Sequence, residues 1–181
     1  LRRPRIPVSV SPFHAGSAAH NLRIMQDSRA TLDETDLKLL SELQQDAHLT
    51  AEELGRRLHL SASQVGRRRQ RLEAAGYIRG YIARLDPARL GLAVQAFVQV
   101  QLRAHGAEHG QSFARLLRTR AEIISAWTLT GEADYLLRVF CEDLPALNRL
   151  IHEVLLTHPT VARVQSQIVM DQTKPDAPYP V

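Results

Sequence analysis

The residues with the clearest chemical potential are arginines. Residues 56–84 carry Arg56, Arg57, Arg67, Arg68, Arg69, Arg71, Arg79 and Arg84 against one acid, Glu73, a local excess of +7. Guanidinium groups pair with phosphate oxygens and, bidentately, with the edge of guanine. The cluster stands out because its surroundings are balanced. The formal net charge is +4, and residues 1–24 supply all of it through Arg2, Arg3, Arg5 and Arg23 with no acid. Residues 25–181 then hold 19 basic and 19 acidic side chains. A basic segment in a neutral chain is a better sign of a nucleic-acid face than a high overall isoelectric point.

Other reactive side chains are scattered. His105 and His109 are four apart, but no third His or Cys has matching spacing, and they read as surface histidines. His152 and His158 read as isolated. Cys141 is the sole cysteine, which excludes an internal disulfide framework and a Cys-based zinc site and fits a reducing cytoplasm. It alternates with apolar strand residues, as a buried thiol would. There is no Gly-rich phosphate loop and no Ser/His/Asp arrangement. No catalytic residue, metal site or cofactor is expected. No stretch approaches the ~18–20 consecutive apolar residues of a membrane-spanning helix.

The elements that position the arginines read as three helices. Asp33 is an N-cap for the first, whose apolar face is expected at Leu37, Leu40 and Leu43. Thr50-Ala51-Glu52-Glu53 is a capping box opening a second helix to about Leu58, with Leu54 and Leu58 inward. Ser61-Ala62-Ser63-Gln64 is another, eleven residues on, opening a third helix that runs to Ala75 with Gly76 after its end. Two capping boxes at that spacing, behind a Leu-faced helix, mark a helix-turn-helix. At 100° per residue the third helix presents Ser63, Arg67, Gln70 and Ala74 on its outer side, flanked by Gln64 and Arg71. Val65 and Leu72 lie inward, and Arg69 lies with them as an anomaly whose stem covers apolar surface. Taken alone, an Arg-rich helix reads as a solvated surface; the tri-helical setting turns the reading to DNA. The expected DNA-contacting set is Ser61, Ser63, Gln64, Arg67, Arg68, Gln70 and Arg71. The alternating Tyr77–Leu85 segment is expected to form a small wing or linker strand.

The second half changes period. Residues 94–103 alternate as a strand, 108–119 read as a helix, 123–130 and 135–141 as strands, 143–154 as a helix capped by Asp143, and 161–170 as a last strand. That order, βαββαβ, fits a ferredoxin-like α+β sandwich with both helices on one sheet face. The far face is expected to carry Phe97, Ile124, Ala126, Leu136 and Phe140, and to be covered by a second subunit. The expected organisation is a disordered basic tail over 1–30, a winged helix-turn-helix domain over 31–85, a linker over 86–92, the ferredoxin-like domain over 93–173 and a tail over 174–181. Met25 is read as the natural start.

These residues resemble the Lrp/AsnC (leucine-responsive / asparagine-regulator) family of transcription factors. The likeness spans about 31–173. It rests on Leu32-Asp33-x-x-Asp36-x-x-Leu39-Leu40, on Leu60-Ser61, on Arg68-x-x-x-Leu72-Glu73-x-x-Gly76-Tyr77-Ile78, on Thr130-Gly131-x-x-Asp134-Tyr135 and on Ile168-Val169-Met170. The resemblance implies a DNA-binding regulator in the cytoplasm, at the nucleoid. It implies homodimers through the second domain, often assembled into octamers, and a small-molecule effector, an amino acid in many members. It places that effector at Leu129, Thr130, Gly131, Glu132, Asp134 and Leu156. Gly131 permits a tight turn, Asp134 can pair an α-ammonium, and exposed N–H groups can take a carboxylate. The chain departs from the family pattern twice: Arg69 stands where an aliphatic residue is usual, and Ala133 where Phe or Tyr often is. The smaller Ala133 implies a wider pocket, suited to an aromatic or long side chain. Two other readings share the architecture: a siroheme-decarboxylase-like enzyme and a ligand-independent architectural DNA-binding protein.

Overall fold

A computed structural model describes residues 32–103 and 107–181, without the side chains of 107–109. The expected N-terminal tail, Met25, His105 and the His109 side chain lie outside the described residues. The chain divides into two compact units, one running up to Ile82 and including Asp176–Val181, the other Ala83–Pro175.

The first unit holds α1 (Glu34–Gln45), α2 (Ala51–Leu58) and α3 (Ala62–Ala74). Each opens on a side-chain cap, Asp33, Thr50 and Ser61, and all three are reciprocal capping boxes with Asp36, Glu53 and Gln64 at the third position. A cap of this kind satisfies amide groups that have no helical partner. The helices share a core of Leu39, Leu43, Leu49, Leu54, Val65 and Leu72. The buried seam of α1 is Asp36, Leu39 and Leu43, a rotation away from the expected Leu37, Leu40 and Leu43. Spacing alone favoured the leucines because a carboxylate was not a candidate for a core position.

The turn between α1's partner helices is tight. Leu60 N–H donates to the Gly55 carbonyl at 2.9 Å, and a Cβ on Gly55 would stand 2.5 Å from the Leu60 carbonyl oxygen. His59 takes the left-handed conformation (φ 57°) that reverses the chain there. The residues 77–85 form no strand. A strand needs a neighbour to satisfy its amides, and among the described residues no strand pairs with this segment. At the other end of the chain Tyr179 returns to α1: its N–H donates to Gln44 Oε1 at 2.7 Å, and Gln44 Nε2 donates to its carbonyl at 3.2 Å.

The second unit holds β1 (Val94–Leu102), α4 (Ala107–Thr119), β2 (Ile123–Thr128), β3 (Tyr135–Cys141), α5 (Leu144–Arg149) with a π-helical continuation over Leu150–Leu155, and β4 (Val161–Ile168). The strands form an antiparallel sheet in the order β2-β3-β1-β4. Ala96, Val98, Val100, Leu137, Val139 and Cys141 bury one face against Phe113, Leu117, Leu147, Leu150 and Leu155 of the helical segments. Burial also raises the Cys141 thiol pKa, which suits a packing role. His158 is not isolated: its ring packs edge-on against Phe113, and its Nδ1 lies 2.8 Å from Thr160 Oγ1.

The opposite face follows from the register. Phe97, Gln99 and Gln101 of β1 lie beside Gln167, Gln165 and Arg163 of β4, and Leu136 lies beside Trp127. Phe97, Leu136 and Phe140 are on this side as expected. Ala126 pairs with the inward Leu137 and so belongs to the helix-covered face, because a register shift between Ile123 and Ser125 changes the alternation.

Gly55→Ala is expected to lower first-unit stability by about 2 kcal/mol, the magnitude of an overpacked contact that must move backbone. Chemical denaturation of the variant against the parent checks this.

Candidate nucleic-acid interface and effector turn

Four arginines lie within five residues of α3, and packing sorts them. Asp36 is fully buried, and its carboxylate receives two of them from α3. Arg68 Nη1 donates to Asp36 Oδ1 at 2.7 Å and to Asp33 Oδ2 at 2.6 Å, and Arg71 Nη2 pairs with Asp36 Oδ2. A buried carboxylate is tolerated only when charge and lone pairs are met. Here two guanidinium groups and the Asp33 N–H meet them. The Arg68 hydrogen bond, followed by that from the Asp36 N–H, holds the Asp33 carboxyl below its usual range, and Arg68 is correspondingly raised. Arg68 and Arg71, expected to contact DNA, therefore have an internal role: they tie α3 to α1.

Arg69 is also engaged. Its Nε donates to the Tyr81 hydroxyl at 2.8 Å and to Glu73 Oε1 at 3.2 Å, and its guanidinium lies 4.6 Å from the Tyr81 ring centre. Ser61 and Gln64 are the two halves of the α3 capping box, and the Ser61 hydroxyl lies 3.1 Å from that of Ser63. What remains outward is Ser63, Arg67 and Gln70, all exposed and on one face. Arg67 makes no ion pair or hydrogen bond among the described residues. The α3 N-terminus thus offers a polar edge, with one extended cation a turn further along.

In the second unit the β2–β3 turn runs through Leu129, Thr130, Gly131, Glu132 and Ala133. Gly131 has φ 114°, a value reserved to glycine. Asp134, expected to anchor an ammonium, braces the turn instead. Its Oδ2 accepts the Leu102 N–H at 2.7 Å, its N–H donates to the Val100 carbonyl at 3.0 Å, and its carbonyl accepts the Leu129 N–H at 2.9 Å. A depression opens beside the turn on the uncovered sheet face, lined by Gln99, Gln101, Glu132, Ala133, Arg163 and Gln165. Arg163 Nη1 lies 3.4 Å from Glu132 Oε1. Of the expected effector residues this hollow takes only Glu132. Leu129, Thr130 and Gly131 are exposed in the turn, and Leu156 is exposed at the end of the last helical segment. Arg163 and the glutamines escaped sequence reasoning because only the β1–β4 register brings them to the turn.

A capped helix-turn-helix with an outward polar helix face, joined to a ferredoxin-like unit, defines a DNA-binding transcriptional regulator with a ligand-binding domain. Residues 32–73 match the AsnC-type helix-turn-helix domain, and residues 95–179 match the Lrp/AsnC ligand binding domain. The chain belongs to the Lrp/AsnC family. It is 36% identical over 141 residues to the Bkd operon transcriptional regulator of Pseudomonas aeruginosa, covering 78% of this chain and 92% of that protein. It is 32% identical over 150 residues to the DNA-binding transcriptional activator DecR of Escherichia coli, covering 83% and 99%. Among solved structures it is similar to a transcriptional regulator from Neisseria meningitidis in complex with L-Met, at 39% identity and TM-score 0.79, covering 83% of this chain and 97% of that one.

The sorting of the arginines has a measurable consequence. Arg67→Ala is expected to lower the slope of log K against log salt by about 1, as loss of one phosphate contact does. Arg71→Ala is expected to leave that slope unchanged while lowering the melting temperature. Fluorescence anisotropy on duplex DNA at several salt concentrations, beside thermal melts, reads both.

Proposed function

We propose that the chain is a sequence-specific transcriptional regulator that reads DNA with Ser63, Arg67, Gln70 and the Gln64 amide of α3. It acts as a homodimer and answers to an amino acid held beside the β2–β3 turn. The observation that carries the DNA reading is the exposed Ser63–Arg67–Gln70 face on a helix whose other arginines are paired within the unit. Polar N-terminal residues of such a helix reach base edges, and an arginine can meet guanine or phosphate.

The homodimer reading is supported by the open sheet face. Trp127 is exposed there beside Leu136, and apolar side chains on the open face of a two-layer domain are suited to burial by a second copy. Assembly beyond the dimer, toward octamers, belongs to the same proposal. The site of action proposed is the cytoplasm, on the nucleoid. No catalytic role is proposed; the named relatives are transcriptional regulators.

The effector reading is supported by the hollow beside the turn and by the L-Met complex of the Neisseria protein. Arg163 supplies a cation for an α-carboxylate, and Glu132 replaces Asp134 as the anion for an α-ammonium. Ala133 leaves room for a long or aromatic side chain. Thermal shift and calorimetry with the twenty amino acids test this. At least one is expected to bind the parent, and Arg163→Ala and Glu132→Gln are each expected to weaken it at least tenfold, as loss of a charge-assisted hydrogen bond of ~1.5–3 kcal/mol implies. Asp134→Asn is expected to lower the melting temperature with or without ligand. Absence of binding by every amino acid would favour the ligand-independent architectural reading.

A further inference from the structure

Elsewhere in the chain Arg57, Arg68, Arg71, Arg89 and Arg163 each reach an acidic side chain. The end of α4 has no such pairing. Residues 110–121 hold Arg115, Arg118 and Arg120 and no acid. Among the described residues these three side chains make no ion pair or hydrogen bond. The helix that carries them is firmly placed. Phe113 and Leu117 are buried in the core of the second unit, and Leu116 packs against it. At 100° per residue, Gln111, Arg115 and Arg118 fall in one narrow arc opposite Phe113 and Leu117, and all three are exposed. They follow one ridge, which climbs about 10 Å at ~1.5 Å per residue. Arg120 stands just past the helix end, where its N–H donates to the Leu117 carbonyl at 3.5 Å and its carbonyl accepts the Ile123 N–H at 3.2 Å. The backbone beneath the three cations is thus held before any partner arrives.

We propose that this edge of α4 is a second DNA contact, carried by the ligand-binding unit and directed at the phosphate backbone. The proposal rests on the DNA reading above and adds a surface for the same partner. Three guanidinium groups without an acid carry a local charge of +3. A duplex, with one negative charge per ~1.7 Å of its axis, is the polyanion complementary to it. Arginine and glutamine side chains both donate to phosphate oxygens without reading sequence, so Gln111 can contribute beside Arg115 and Arg118. The ridge is wholly polar, which suits phosphate better than the apolar centre of a protein interface. A contact of this kind adds affinity and salt dependence and leaves sequence preference to α3.

The test uses the full chain and two duplexes of about 60 base pairs, several turns of ~10–10.5 pairs each. One bears the site that the parent selects from a random pool, and the other has that site scrambled. Each phosphate contact contributes about 0.9 to the slope of log K against log salt. The triple variant Arg115→Gln, Arg118→Gln, Arg120→Gln is expected to lose at least about 2 from that slope on both duplexes. Its affinity is expected to fall at least tenfold at low salt, with the ratio between the two duplexes within twofold of the parent's. Arg118→Gln alone is expected to lower the slope, and Arg89→Gln, which removes a paired cation from the same unit, to keep it. Equal losses for Arg118→Gln and Arg89→Gln would show an effect of net charge and overturn the contact. Parent-like slopes in the triple variant would also overturn it, leaving the arginines to an acidic protein surface or, with a lower melting temperature, to the carbonyl end of α4. Loss of preference between the duplexes would overturn the backbone contact by tying these arginines to sequence readout. A parent that binds neither duplex would overturn the DNA reading itself.

Discussion

A recognition helix with four arginines in five residues must stop most of them from competing for the same phosphates and from repelling one another. The buried carboxylate of Asp36 does this for two. It sits in the seam of α1 between Leu39 and the Asp33 cap and draws Arg68 and Arg71 inward. The pair fixes the rotation of α3 about its own axis, because Arg68 and Arg71 lie three apart and so share a side of the helix. Once that rotation is set, Val65 and Leu72 must face the core, and Ser63, Arg67 and Gln70 must face out. The outward polar face proposed to read DNA is thus a consequence of an ion-pair cluster on the flank beside it. Breaking a buried pair by removing one partner is strongly destabilising, in general by about 3–5 kcal/mol. Arg68 and Arg71 both reach solvent, which places this cluster at the lower end of that range.

The second unit uses a buried apolar face and a braced turn in place of charge. Val98 and Val100 lie inside, while Gln99 and Gln101, between and beside them, face the uncovered side. Asp134 locks the β2–β3 turn to the end of β1, so the backbone around Gly131 is held in position. The side chains projecting from it, Glu132 and Ala133, then meet Arg163 across the sheet. Fixing the turn and leaving its edge polar spares the proposed binding of a zwitterion the cost of ordering a loop.

Local features of this fold were readable from sequence, and distant ones were not. Asp33, Thr50, Ser61 and Asp143 announce helix starts because a cap acts over three residues. β3 is bounded as expected, and β1 to within one residue, because alternation is a property of consecutive residues. The inward turn of Arg68 and Arg71 depends on a carboxylate more than thirty residues away, so they looked like DNA contacts. Asp134 looked like a ligand anchor because its partner, the Leu102 N–H, is 32 residues distant. Tyr81 looked like part of a strand because its alternation with neighbours is real; the hydroxyl contacts that hold it on α3 leave no trace in spacing. Arg69 was visible as an oddity on an apolar side, and the structure supplies its reason.

The central claim is that Arg68, Arg69 and Arg71 are committed to partners within the first unit and that Arg67, without an ion pair among the described residues, is the α3 arginine proposed to meet DNA. Nitrogen-15 spectra of the arginine Nε–H groups in the full chain, with and without duplex, test it without altering a residue. The account predicts an ordered, slowly exchanging Nε–H signal for Arg69 in both states, Nε–H signals of Arg68 and Arg71, held through their Nη groups, that DNA leaves unmoved, and a signal for Arg67 that sharpens and shifts only when DNA is added. Shifts at Arg68 and Arg71 on adding DNA, with Arg67 unmoved, would contradict it.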